Sequence, residues 1–183
     1  MWFSNFALAG SIKGKVNAAG AKNNANAVIY IEKISGKKFD PTKEPAVMDQ
    51  KNFVYIPHVL PILRGTTVEF WNSDNVLHNV YGVQQRKTLF NWAMPFKGMK
   101  LKRKFDEVGQ VVLLCNVHPE MEAWIVILEN PYFAVSDKEG NYIINGVPPG
   151  THTLKIWHKK LKGESQEVSV PETGEVFVNF EIK

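Results

Sequence analysis

The single cysteine of this chain lies in Cys115-Asn116-Val117-His118-Pro119-Glu120-Met121. A thiolate, an imidazole and a thioether therefore recur at i, i+3 and i+6 of one short segment. A second imidazole stands far upstream, in Leu77-His78-Asn79. Copper that cycles between Cu(I) and Cu(II) needs a compromise among donors. Soft sulfur suits Cu(I), imidazole suits both states, and a weak axial thioether avoids forcing a square-planar arrangement. His78, Cys115, His118 and Met121 make up such a set. A frame that holds one geometry for both oxidation states lets a single electron move with little reorganisation.

Other chemistries fit these residues less well. Structural zinc uses closed sets of Cys and His, and Met is a poor zinc ligand. A binuclear copper centre needs a second cysteine in the loop. An oxygen-reducing copper cluster needs many more histidines than the five present. A Cys115 nucleophile with His118 as base has poor geometry on a tight β-loop, and no third group is evident to orient the base. No catalytic residue is assigned, and the chain is expected not to be an enzyme. The remaining alternative is a buried free thiol among ordinary loop and core residues.

These ligands need rigid elements to carry them. Gln110-Val111-Val112-Leu113-Leu114 is an apolar strand that delivers Cys115 at its end. The loop then carries His118 round the metal, Pro119 stiffens it, and Met121 starts the return strand. His78 comes from another strand, after the turn Asn72-Ser73-Asp74-Asn75. Helical periodicity is almost absent. Period-two runs bounded by Gly, Pro, Asn and Asp predict strands over 11–16, 27–32, 52–56, 66–71, 78–81, 99–105, 110–115, 123–128, 132–135, 142–144, 151–157, 167–170 and 175–182. Residues 35–47 are charged, contain Pro41 and Pro45, and read as a loop. Short strands at this spacing indicate an all-β sandwich, or two.

Length and composition agree with that. The chain has 183 residues, 44% hydrophobic and 11% aromatic, enough to bury a core without staples. One cysteine excludes an intramolecular disulfide. The net charge of +4 is mild; it allows docking to an acidic partner and does not indicate nucleic acid. No apolar run approaches the length of a membrane span. Ala7-Leu8-Ala9 before Gly10 has the small-x-small form of an export cleavage site, without a basic stretch ahead of it. An irregular leader to the first strand explains it equally well.

The complete pattern, Cys-x2-His-x2-Met with a remote His-Asn, resembles the cupredoxins. Phe53-Val54-Tyr55-Ile56-Pro57 and Arg64-Gly65-Thr66-Thr67-Val68-Glu69-Phe70 are similar to that family's opening strands. The ligand loop is similar in length to that of amicyanin and shorter than those of plastocyanin and azurin. The resemblance implies a Greek-key β-sandwich over 45–129. It implies one type 1 copper ion held by His78, Cys115 and His118, with Met121 as the axial ligand. It also implies that Asn79, Asn116 and Pro119 surround and orient the ligands, with the Asn79 side chain tying the two ligand loops together. Leu77 departs from the pattern, since plastocyanins commonly have Pro there; the expected effect is on local stiffness. In the family, the loop histidine reaches the surface and passes the electron. Here that is His118, in an apolar rim of Pro119, Met121 and Pro95.

The C-terminal stretch has its own resemblance. Ala134-Val135-Ser136-Asp137-Lys138-Glu139-Gly140-Asn141-Tyr142-Ile143-Ile144, with Val147-Pro148-Pro149-Gly150-Thr151-His152-Thr153-Leu154, is similar to the second half of the carboxypeptidase regulatory-like module. That module is a small transthyretin-like β-sandwich. Ser11-Ile12-Lys13-Gly14-Lys15-Val16 and Ala27-Val28-Ile29-Tyr30-Ile31-Glu32 fit its first half. The expected organisation is thus 10–44 with 130–183 as one discontinuous sandwich, and the metal-binding domain between its halves. A contiguous C-terminal domain is the alternative.

The remaining candidates are read conservatively. His58, between Pro57 and Val59, is a packing residue. His152 and His158 are surface residues rather than a chelating pair. Lys100, Lys102 and Lys104 share one strand face, which discourages edge pairing; a role in steering an acidic redox partner is the alternative. Trp92-Ala93-Met94-Pro95-Phe96 is either an apolar docking patch or a core-covering loop. The expected function is single-electron transfer between a redox donor and an acceptor outside the cytoplasm, in the periplasm or an equivalent space. A copper carrier or storage protein with the same ligands, and a non-redox structural sandwich with a vestigial site, are the alternatives.

Overall fold

A computed structural model describes residues 9–183, so the pattern around Ala7 and Leu8 lies outside the described residues. Within that range the chain is all-β: seventeen strands and no helix. It begins with β1 (Gly10–Ala18) and β2 (Val28–Ile31). There follow β3 (Ala46–Lys51), β4 (Val54–Ile56), β5 (Val59–Leu63), β6 (Thr67–Asn72), β7 (His78–Gln84), β8 (Lys87–Met94), β9 (Lys100–Lys104), β10 (Gly109–Leu114) and β11 (Glu122–Leu128). The last six are β12 (Phe133–Val135), β13 (Asn141–Val147), β14 (Gly150–Trp157), β15 (Gln166–Val170), β16 (Glu175–Phe177) and β17 (Phe180–Ile182). The strands fall into two compact units. One runs over Lys38–Pro131; the other combines the residues up to Lys37 with Tyr132–Lys183.

In the Lys38–Pro131 unit, one sheet has the order β5-β11-β10-β7-β8 and the other β4-β3-β6-β9. Alternating residues from both sheets meet in one core: Met48, Val68 and Phe70 from the smaller sheet, Val80, Leu113 and Ile125 from the larger. Burying each such side chain stabilises by about 1.5–3 kcal/mol. Phe70 is central, with the rings of Phe90, Trp92 and Phe105 at centroid distances of 5.6, 6.2 and 6.5 Å.

Three strands here are not legible as period-two runs. β5 carries Pro61, but it is an edge strand, where a missing N–H faces no partner. β8 is the other edge of that sheet, so its charged and polar outer face is tolerated. Trp92-Ala93-Met94 is therefore strand, with Met94 fully buried, while Phe96 beyond it is 68% exposed. β3 begins inside the stretch read as loop and pairs in parallel with β6.

Gly82 pairs with Phe90 across β7 and β8, where the register shifts. A Cβ on Gly82 would lie 2.4 Å from the Phe90 ring. The ring thus folds over the glycine and into the Phe70 cluster. Gly82→Ala forces that ring out of place, and the expected cost is about 1–3 kcal/mol, read from the urea midpoint. Because β7 also carries His78, metal affinity should fall in parallel; an unchanged midpoint would mean that the ring moves aside freely.

The other unit also has two sheets, β13-β1-β16 with β17 on β1, and β12-β2-β14-β15. Ile12, Ile29, Ile31, Ile144, Leu154 and Phe180 form its core. The run read as one strand over 175–182 is divided into β16 and β17, both parallel to β1. Between them the Val178 amide bonds the Lys13 carbonyl, at 2.8 Å. The Val178 carbonyl approaches β1 so closely that a Cβ on Gly14 would overlap it, at 1.6 Å. His152 Nε2 lies 2.8 Å from the Pro148 carbonyl. His158 Nδ1 accepts from the Lys160 and Leu161 amides at 3.3 and 3.1 Å.

Candidate metal centre

Cys115 is set down by the last residue of β10, and β11 resumes at Glu122, paired with Leu114. The seven residues between must turn in a short span. The Met121 amide donates to the His118 carbonyl at 3.0 Å and closes that turn. β7 lies beside β10 in the same sheet, so its first residue, His78, comes to the same end of the sandwich.

The structure brings His78, Cys115 and His118 together. Their facing atoms are the two Nδ1 nitrogens and Sγ. The separations are 3.0 Å between the nitrogens, 4.0 Å from Sγ to His78 and 3.9 Å from Sγ to His118. A point equidistant from all three lies about 2.1 Å from each, which is the range of metal–nitrogen and metal–sulfur bonds. His78 is fully buried, Cys115 is 3% exposed and His118 is half-buried. Met121 is buried in the same apolar cluster as Cys115. Two imidazole nitrogens facing one another across 3.0 Å, beside a thiol, offer three donor atoms to a cation bound among them.

The surrounding groups explain this convergence. The Asn79 side chain accepts from the Asn116 amide at 2.6 Å and donates to Asn91 at 2.7 Å, which links β7, β8 and the ligand loop. The Asn79 carbonyl receives Gln50 Nε2 at 3.1 Å. The Tyr55 hydroxyl sits 2.9 Å from the Leu114 carbonyl and 3.2 Å from that of Asn79. Burial, reinforced by the Cys115 thiolate, pushes the Tyr55 hydroxyl well above its ordinary value, so it remains a donor. Pro119 and Glu120 are exposed.

Asp74 is not evident from the ligand pattern. Its Oδ2 lies 2.9 Å from His78 Nε2, so the ring donates its Nε2–H there and keeps the Nδ1 lone pair for the site. The same carboxylate accepts the Asn52 amide at 2.7 Å and the Phe53 amide at 3.1 Å. Burial pushes the Asp74 carboxyl up. The Phe53 and Asn52 amides and the His78 ring together outweigh that and hold it below the ordinary carboxylate range.

Those two amides belong to a strained turn. Asn52 and Phe53 join β3 to β4 with φ of 55° and 60°, the left-handed pair of a two-residue hairpin. Phe has no intrinsic preference for that region, and the cost is about 1–2 kcal/mol. The turn lays the Phe53 ring edge-on to both imidazoles, 5.0 Å from His118 and 5.9 Å from His78. The only sequence signal was an Asn followed by alternating apolar residues, and that reads as strand.

Lys100, Lys102 and Lys104 lie on β9, an edge strand. The first two pair with Glu69 at 3.9 and 3.2 Å, and Lys104 pairs with Asp106 at 2.8 Å. Lys100 also lies 3.9 Å over the Trp71 ring. Two carboxylates thus offset part of the charge of the three lysines on that face.

What the fold and site define is an all-β sandwich with a two-histidine, one-cysteine cluster at one end. No protein-family model matches this chain. No curated protein matches it. Among solved structures, an amicyanin variant in its reduced form is similar with a TM-score of 0.43 and 26% identity, covering 47% of this chain and 84% of that one. A purple cupredoxin from Nitrosopumilus maritimus gives 0.41 and 27%, over 45% of this chain and 98% of its own. A copper-containing nitrite reductase from Thermus scotoductus gives 0.42 and 25%, over 55% of this chain and 25% of its own.

Proposed function

We propose that the Lys38–Pro131 unit is a mononuclear type 1 copper protein that carries single electrons between a redox donor and an acceptor. The observation that carries this reading is the Nδ1–Nδ1–Sγ triangle, sized for a bound cation by the protein frame alone. Copper bound there would supply one-electron cycling between Cu(I) and Cu(II). His78, Cys115 and His118 are the strong ligands and Met121 is the axial donor. Asn79, through Asn116, and the rigid Pro119 keep the loop in place.

Burial of His78 and Cys115 favours a resident ion over an exchanged cargo. His118, half-buried, is the exit for the electron. Phe53, Leu77, Phe96 and Val117 are all exposed apolar residues next to ligand-bearing segments, and they suit a docking partner with an apolar contact face. The protein works outside the cytoplasm, in keeping with the Ala7-Leu8-Ala9 pattern. The other unit is a carboxypeptidase regulatory-like, transthyretin-like sandwich with no catalytic part.

Reversible reduction and reoxidation of the copper-loaded chain, compared with extraction of Cu(I) by a chelator, tests the shuttle. Fast electron exchange with slow extraction is expected; rapid extraction with sluggish electron exchange would assign a carrier instead. Phe53→Gly removes the turn strain together with the ring contact, so stability should change by no more than about 1 kcal/mol. Chelator access past His118 should nevertheless quicken several-fold. An unchanged extraction rate would show that the ring does not shield the site.

A further inference from the structure

Backbone pairing between β7 and β10 ends at Tyr81 and Leu114, before either strand reaches its ligand. Continued in that register, Val80 would face Cys115 and Asn79 would face Asn116. Side-chain bonds take the place of the ladder there. Asn79 Oδ1 accepts the Asn116 amide at 2.6 Å. The carbonyls of Asn79 and Leu114, the residues after His78 and before Cys115, are met from the smaller sheet. Gln50 on β3 and Tyr55 on β4 stand directly opposite one another in their hairpin. Gln50 Nε2 donates to the Asn79 carbonyl at 3.1 Å, and the Tyr55 hydroxyl donates to the Leu114 carbonyl at 2.9 Å.

The supply of hydrogens explains why both side chains are needed. The Tyr55 hydroxyl also lies 3.2 Å from the Asn79 carbonyl, but one hydroxyl hydrogen cannot serve both carbonyls fully. The Gln50 amide has two hydrogens, one for the Asn79 carbonyl and one for the Tyr55 oxygen, to which it is also hydrogen-bonded. The amide cannot be turned over, since its oxygen would then face the Asn79 carbonyl. Its Oε1 is left buried with no partner among the described residues. A buried acceptor without a donor destabilises a fold. Gln50 is fully buried, where an apolar side chain of similar size would leave no oxygen orphaned. The fold gives up stability at this position and gains a fixed span between the two carbonyls that flank the ligands.

We infer that Gln50 and Tyr55 are positioning residues that set the spacing of His78 and Cys115 before any metal arrives, and hold that spacing through a change of oxidation state. The second half of this inference rests on the type 1 copper reading; the first half does not. The test uses nuclear magnetic resonance of the nitrogen-15-labelled full chain, with Gln50→Met and Tyr55→Phe, and starts without metal. Hydrogen exchange at the Asn116 amide is expected to quicken about tenfold in each variant, while the amide of Ile125, fully buried on β11, keeps its rate. For Gln50→Met the urea midpoint is expected to equal or exceed that of the wild type, because the orphaned oxygen goes with the amide. With copper bound, electron self-exchange, read from line broadening in mixtures of the two oxidation states, should slow several-fold in both variants. Wild-type exchange at Asn116 in both variants would overturn the inference. So would a lowered Gln50→Met midpoint with Ile125 exchange quickened as much as that of Asn116, which is the mark of a purely structural residue. Self-exchange at the wild-type rate would overturn the second half. Failure of the copper reading shows separately, as a wild-type chain with no thiolate-to-copper band.

Discussion

Cys115→Ser is expected to abolish the intense visible absorption of the copper-loaded chain and its reversible redox cycling, while the sandwich stays folded. A hydroxyl neither stabilises Cu(I) as thiolate does nor gives a sulfur-to-copper charge-transfer band. His78 and His118 would still meet across 3.0 Å, so the variant should keep weak Cu(II) binding of a tetragonal kind. The fold should survive because Cys115 contributes little of the core, which rests on Phe70, Val80, Leu113 and Ile125. Placing a serine hydroxyl at a 3% exposed position costs about 1–3 kcal/mol where it finds no partner. Circular dichroism and urea unfolding of the metal-free proteins check this. Collapse of the metal-free variant would show that the cysteine is structural.

Asp74→Ala carries the second large effect. The substitution removes the acceptor that fixes the His78 tautomer, and the expected loss is about 10–100-fold in metal affinity. It also frees the amides of Asn52 and Phe53, whose left-handed backbone depends on that carboxylate. Phe53 should therefore leave the two imidazoles, and the β3–β4 hairpin should loosen. Asp74→Asn leaves one acceptor where there were two. The Phe53 amide and His78 Nε2 share Oδ2, so a carbonyl oxygen there keeps both bonds while the Asn52 amide loses its acceptor at Oδ1. That variant should keep most of the affinity and shift the Asn52 amide resonance. Wild-type affinity in Asp74→Ala would place the control of His78 elsewhere, in Asn79 or the β7–β8 pairing.

The difference between Cys115 and Asp74 marks what the residues alone reveal. The cluster was legible because three donors share one heptapeptide and the fourth precedes an asparagine. Type and spacing are local, and a strand before Cys115 forces where it goes. Asp74 was visible only as part of a turn, since its partners at 52, 53 and 78 are brought to it by the packing of two sheets. Phe53 was hidden for another reason. A two-residue hairpin normally announces itself with Asn-Gly, and Phe at φ 60° is held there by the Asp74 carboxylate rather than by its own preference. The edge strands β5 and β8 were missed because edges tolerate Pro61 and exposed polar positions that interior strands reject.

The most direct measurement is the visible absorption and electron paramagnetic resonance spectrum of the purified full chain after one equivalent of Cu(II). An intense band in the red, with narrow copper hyperfine splitting, is the predicted result; it requires a short thiolate–copper bond constrained by two imidazoles. A colourless protein, or only the broad hyperfine pattern of tetragonal Cu(II), would contradict a type 1 centre at His78, Cys115, His118 and Met121.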